Sequence, residues 1–245
     1  MVRNLLFLLV VFLTNVVQGI TGFAGTMLAM PFSVMLIGFD TAKPILNALG
    51  LLSGIYIVLL NRKSVNKKEF LKIICVMSVG IIGGIALRSL LKNEAKLLYI
   101  ILGVIIILTA VSGIYKSFIK NGSSNAKQSR AVSFLLLASA GVTHGMFVCG
   151  GPLLVSYMTG RVEDKNEFRA TLSACWIVLN SIVFLDDFRS GLWHTDMLLL
   201  FAVSALLLFA AMFVGGRLCK KMSRSLFMKA TYILLIVSGA LLFIK

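Results

Sequence analysis

The stretch Gln18-Gly19-Ile20-Thr21-Gly22-Phe23-Ala24-Gly25-Thr26-Met27-Leu28-Ala29-Met30-Pro31 decides how this chain can fold. Three glycines and two threonines interrupt an apolar run from Leu5 to Phe39, and a proline closes it. One uninterrupted helix over that run would be about 50 Å long at ~1.5 Å per residue, whereas a hydrocarbon core of ~30 Å needs only about 20 residues. The run is too long for one pass and weakest near its middle. It therefore reads as two short arms, about Asn4 to Val17 and Gly22 to Ile37, bent at the glycines. Each arm is about 20–25 Å long on the same rise, which describes a re-entrant helical hairpin with its tip inside a membrane.

A second copy follows. Thr143-His144-Gly145-Met146-Phe147-Val148-Cys149-Gly150-Gly151-Pro152-Leu153-Leu154 breaks another apolar run, from Ala131 to Thr159. At an offset of 126 (Gly25 to Gly151), Gln18-Gly19 aligns with His144-Gly145, Lys43 with Arg169, and Asn47 with Ser173. Val111-Ser112-Gly113 aligns with Val237-Ser238-Gly239 at the far end of the unit. Apolar segments align easily, but matches at both ends point to a duplication. Glycine- or proline-broken segments at corresponding places of a repeat are the sequence pointer to a transporter binding site.

Of 245 residues, 59% are apolar and 13% charged, and the charges cluster between runs of membrane-spanning length. The expected fold is therefore all-α and polytopic, in two inverted repeats. Repeat 1 covers 1–116, with a hairpin over about 4–37 and helices over about 44–60, 70–90 and 97–115. A polar linker fills 117–130. Repeat 2 covers 131–245, with a hairpin over about 131–159 and helices over about 170–185, 197–216 and 226–244. Pro44 suits a first helical turn, and the pairs Gly83-Gly84 and Gly215-Gly216 suit close helix packing.

Charge sets the topology. If each broken run were a single pass, the 24 Lys and Arg would divide evenly between the two faces. With hairpins that return to their own side, Arg3, Lys43, Arg88, Lys92, Lys96, Arg189 and Lys245 share one face and the other 17 of the 24 the opposite one. The positive-inside rule then places both termini outside a plasma or inner membrane, and three crossings per repeat force the halves to be inverted. Two short full passes in place of each hairpin give the same parity. The apolar start after Arg3 has no small-x-small site for cleavage as a signal peptide. A net charge of +15 spread between apolar segments fits anionic lipid head groups and not nucleic acid. The four cysteines have no metal or CxxC spacing, so neither metal nor cofactor is expected.

At a hairpin tip the backbone leaves the helix and several N–H groups lose their intrahelical partners. Second arms beginning near Gly22–Gly25 and Gly150–Gly151 carry partial positive charge at their N-termini, so two tips meeting at mid-membrane form a compact anion site. Thr21, Thr26 and Thr143 add hydroxyl donors. Gln18 and His144 stand at matching places. His144 fits either a pathway role or a packed histidine, and leaves coupling to a proton or another ion open. Cys149 fits a contact to a sulfur-bearing ligand or a small buried hydrophobe. Asn47, Ser173 and Asn180 either line the cavity or bond helix to helix. Lys43 and Arg169 either guide an anion toward the tips or anchor helix ends to lipid.

Gln18-Gly19-x-x-Gly22-Phe23-x-Gly25 with Pro31, and His144-Gly145 with Gly150-Gly151-Pro152-Leu153-Leu154, resemble the two signature segments of the TauE/SafE sulfite-exporter family. The resemblance covers essentially the whole chain. It implies a permease for sulfite, thiosulfate, organosulfonate or another small sulfur-containing anion. Phe147-Val148-Cys149 stand where that family often has a further glycine-rich turn, which leaves the substrate open. The leading expectation is thus a secondary transporter, not an enzyme, with no Walker motif for ATP. The alternative is a membrane-embedded enzyme using His144 and Cys149 as base and nucleophile, without an evident third orienting group. Direction, coupling ion and homo-oligomeric state are not legible.

Overall fold

A computed structural model describes residues 2–91, 94–115, 129–158, 161–162, 164–218 and 236. The described residues contain nine α-helices, one short 3-10 turn and no strand. They are α1 (Val2–Thr21), α2 (Ala24–Ile37), α3 (Phe39–Asn61), α4 (Lys67–Leu90), α5 (Ala95–Ile114), α6 (Arg130–Phe147), α7 (Gly151–Met158), α8 (Lys165–Arg189) and α9 (Thr195–Leu218). Six helical segments are long and apolar enough to cross a membrane. The protein is an all-helical polytopic membrane protein.

Both glycine-broken runs are indeed bent, α1 into α2 and α6 into α7. The arms differ from expectation. α1 continues to Thr21, 20 residues in all, and at ~1.5 Å per residue it matches a ~30 Å core. α6 has 18 residues, whereas α2 has 14 and α7 has 8. Each broken run is one full-length helix followed by a short one. Gln18 explains the longer first arm: its carbonyl accepts from Gly22 N–H at 2.7 Å, so the helical ladder runs into the bend itself.

α3 begins at Phe39 and not near Pro44, with Gly38 at φ 82° separating it from α2. Pro44 lies in the second turn, where its missing N–H leaves the Asp40 carbonyl without a helical donor. α8 begins at Lys165, capped by Asp164, and runs past Leu185 to take in Asp186 and Asp187. Asn66 caps α4 through its side chain, which accepts from Glu69 N–H. Ser129 caps α6 likewise, and that cap ends the expected linker. The rest of the linker and the expected helix over 226–244, apart from residue 236, lie outside the described residues.

α3 and α8 form the centre: 56% of the apolar window of Phe39–Ser64 is buried, against 22% for Lys67–Leu90. α4 packs along α6, and α1 along α9. The outer faces of α4 and α9 show Leu71, Val79, Ile82, Leu199 and Leu206, which suits contact with lipid tails. Glycine sets the close approaches. A methyl on Gly84 would strike the Val142 carbonyl, and one on Gly215 would strike the Val16 carbonyl. Gly145 meets Ile81 as Gly19 meets Met212. The paired positions stand at constant offsets, 126 between α1 and α6 (Val16 to Val142) and 131 between α4 and α9 (Gly84 to Gly215). Gly83 and Gly216, by contrast, face open space.

Candidate functional site

The two bends meet. Gly151 lies against the Phe23 backbone and ring, 3.5 and 3.6 Å from a Cβ placed on it. Between them is a cavity of about 20 Å³ lined by Gln18, Phe23, Thr26, Met27, Gly50, His144, Val148, Gly151, Trp176 and Asn180. A cavity needs ~10–15 Å³ on the same measure to hold one water. The space thus has room for roughly one water and is too small for a sulfur oxyanion until something moves.

The first bend satisfies itself. Gly25 N–H donates to Gln18 Oε1 at 2.8 Å, and Thr21 Oγ1 accepts from the amides of Phe23 and Ala24 at 3.4 and 3.3 Å. Gln18 Nε2 then donates to Ser53 Oγ on α3. Arg169 closes the end of α1, donating to the Gly19 carbonyl at 2.6 Å with its stem against Gly22. The expectation of bare amide protons here is therefore not met: the side chains of this bend occupy them.

The second bend does not satisfy itself. Val148 N–H returns to the His144 carbonyl and Leu154 N–H to that of Gly150. The amides of Cys149, Gly150, Gly151 and Leu153 have no partner among the described residues, and the first three of these residues are buried. Those of Gly151 and Leu153 belong to the first turn of α7, where the helix carries partial positive charge. Val148 turns the chain at φ 58°, a left-handed conformation that strains a β-branched residue. Its counterpart at the offset of 126 is Gly22, at φ 82°.

Side chains converge on the same place. The His144 ring stacks on Trp176, centroids 5.0 Å apart at 26°. His144 Nε2 lies 2.8 Å from Asn180 Oδ1, and the Asn180 carbonyl accepts from Asn47 Nδ2 at 3.0 Å. Trp176 Nε1 and His144 Nδ1 are buried without partners. The Trp176 ring approaches Gly151 through Cζ2, on the edge that carries Nε1. The Thr26 hydroxyl also makes no hydrogen bond among the described residues. The site therefore offers amide, indole and hydroxyl donors with no formal charge at its lining, which suits an anion held by dipoles.

Of the expected binding residues, Gln18, Thr26, His144 and Gly151 line the cavity. Gly22, Gly25, Gly150 and Cys149 build the bends behind it, and a methyl on Gly25 or Gly150 would meet backbone or side chain at once. Thr21 and Thr143 donate back into their own helices, to Val17 and Ser139. Asn47 and Ser173 lie buried on α3 and α8 and do not line it, with Ser173 Oγ unpartnered. No hydrogen bond joins His144 to Cys149, and no group of three metal-ligating side chains occurs among the described residues.

Lys43 sits differently from expectation. It is fully buried and ion-paired with Asp187, and Arg88 lies 3.9 Å from Asp187 and 3.4 Å from Asp186. Asp187, Trp176 and Phe23 are the residues not singled out from sequence. The expected helix over about 170–185 stops short of Asp187, although a lysine inside a membrane protein calls for such a partner.

No curated protein and no solved structure matches the chain. A family model does, that of the sulfite exporter TauE/SafE, across residues 7–242. With the two bends in contact and nearly the whole length matched, the chain belongs to the sulfite exporter TauE/SafE family, membrane transporters of sulfite and related sulfur anions.

Proposed function

We propose that the protein is a secondary permease for a small sulfur-containing anion, sulfite, thiosulfate or an organosulfonate, bound where the two bends meet. The observation that carries this is the second bend: the Gly151 amide and the Trp176 indole N–H have no partner among the described residues and belong to residues that line the shared cavity, with the unpartnered amides of buried Cys149 and Gly150 just behind. Leaving so many buried donors unmade costs about 1–3 kcal/mol each, and an anion is the partner that answers all of them together. The anion-binding group is thus the α7 start, Trp176 and Thr26, with Gln18 and Arg169 holding the first bend in shape. Lys43 contributes to the long-range field and not to contact, because Asp187 holds its charge.

We further infer that the halves are inverted repeats. The duplicated glycine contacts, the Gly22/Val148 turn and the crosswise packing of α4 on α6 and α1 on α9 support it. Broken helices meeting between such repeats allow alternating access by movement of one repeat against the other. Counterflow of labelled thiosulfate in proteoliposomes tests the proposal. Flux that Gly151→Leu abolishes and Cys149→Ser leaves intact supports it. An absence of flux, or dependence on Cys149 with turnover of the solute, favours the enzyme alternative.

A further inference from the structure

Taking the anion site proposed above as given, His144 brings an unpartnered lone pair to a residue that lines it. A carboxamide oxygen only accepts, so the 2.8 Å contact to Asn180 Oδ1 puts the hydrogen on Nε2 and leaves Nδ1 an acceptor. Nδ1 is buried and unpartnered, on a residue 2% exposed that lines the cavity. The other unpartnered groups there, the Gly151 amide, the Trp176 indole and the Thr26 hydroxyl, can all donate. An anion meeting three donors and one lone pair is repelled by the fourth. A proton on Nδ1 removes that repulsion, adds a donor and places a full positive charge beside the anion.

We propose that His144 is a proton-binding site linked to the anion, so that one proton enters the site with each anion. Two neighbours favour the imidazolium. From α8 it meets the Trp176 ring, favourable to a cation, and the Asn180 oxygen. From α3 the charge of Lys43 reaches it, but Asp187 pairs with Lys43, and Arg88 of α4 is balanced by Asp186, so the cluster is neutral. Against α6, α4 presents Ile81 and Gly84, and the first bend presents Gln18. The matching residue in the first half, Gln18, cannot take a proton and already accepts from Gly25. One repeat therefore carries the proton and the other does not, which sets the ratio at one.

Thiosulfate and methanesulfonate do not titrate near neutrality, so proton uptake in their presence belongs to the protein. The purified full-length protein, weakly buffered with an indicator dye, is titrated with each anion while binding is followed by calorimetry across neutral pH. We expect one proton taken up per anion bound and an affinity that falls about tenfold per pH unit on the alkaline side. His144→Gln should bind without proton uptake and with a flat pH profile. Binding by the wild type with no proton uptake overturns the linkage and leaves the anion site standing, as does uptake that persists in His144→Gln. If the wild type binds neither anion nor sulfite, the anion site itself fails and the linkage with it. The wild-type measurement decides even if the variant does not fold.

Discussion

At the scale of single residues, Trp176 and Val148 separate function from packing. The indole N–H is a buried donor with nothing to donate to, and Phe keeps an aromatic ring there while deleting that hydrogen. A hydrogen bond to a charged group is worth about 1.5–3 kcal/mol, so Trp176→Phe should weaken anion binding by about 10- to 100-fold, beyond the loss of thermal stability that the smaller buried ring brings. Val148 carries the strain of a left-handed turn that Gly22 takes without cost in the first bend. Because Val148 is also buried, Val148→Gly is to be compared with Val148→Ala, and the glycine variant should be the more stable of the two in unfolding experiments; an alanine variant of equal or greater stability would show the turn to be unstrained. The sequence announced this position: Phe147-Val148-Cys149 replace a glycine-rich turn. It did not announce Trp176, since one aromatic in an apolar run looks like any packed ring. Nor could it show that Gln18 turns inward to occupy the Gly25 amide, because the same glutamine could equally have faced a ligand.

At the scale of elements, packing between helices is set by backbone approach and not by burial of oil from water, since lipid tails are as apolar as leucine. Gly84 and Gly215 allow that approach, whereas their neighbours Gly83 and Gly216 face open space. Gly84→Ala and Gly215→Ala should each cost about 1–3 kcal/mol, while Gly83→Ala and Gly216→Ala should be neutral or slightly stabilising. Thermal unfolding of the four purified variants checks this, and equal losses at all four would refute the packing described. The glycine pairs were legible as packing sites from the sequence, but which member of each pair faces a helix depends on rotation about the axis. The full length of α1 was hidden for a related reason. Glycine marks a weak point without saying how far the ladder extends into it, and the Gln18 carbonyl carries it to Gly22.

For the whole molecule, the Lys43–Asp187 pair ties the two central helices, one from each half of the chain. A buried ion pair is poor evidence of net stability, yet removing one partner strands a charge at a cost of about 3–5 kcal/mol. Lys43→Met and Asp187→Leu should each destabilise by about that much, and the double variant by clearly less than their sum. Additive losses would mean that the pair is not coupled. The family and the membrane class were legible because they are written in motif spacing and composition. The pairing of Lys43 was not, because it joins residues far apart in sequence across α3 and α8.

The most direct measurement of the central claim uses the protein's two tryptophans. Trp193 packs between Phe184 and Phe201, so Trp193→Phe leaves a folded chain in which Trp176 is the sole indole. Titrating thiosulfate into that variant should give a saturable change in its emission that chloride at the same ionic strength does not produce and Gly151→Leu abolishes. Emission that stays constant while the same preparation carries thiosulfate counterflow would place the anion elsewhere and contradict the account.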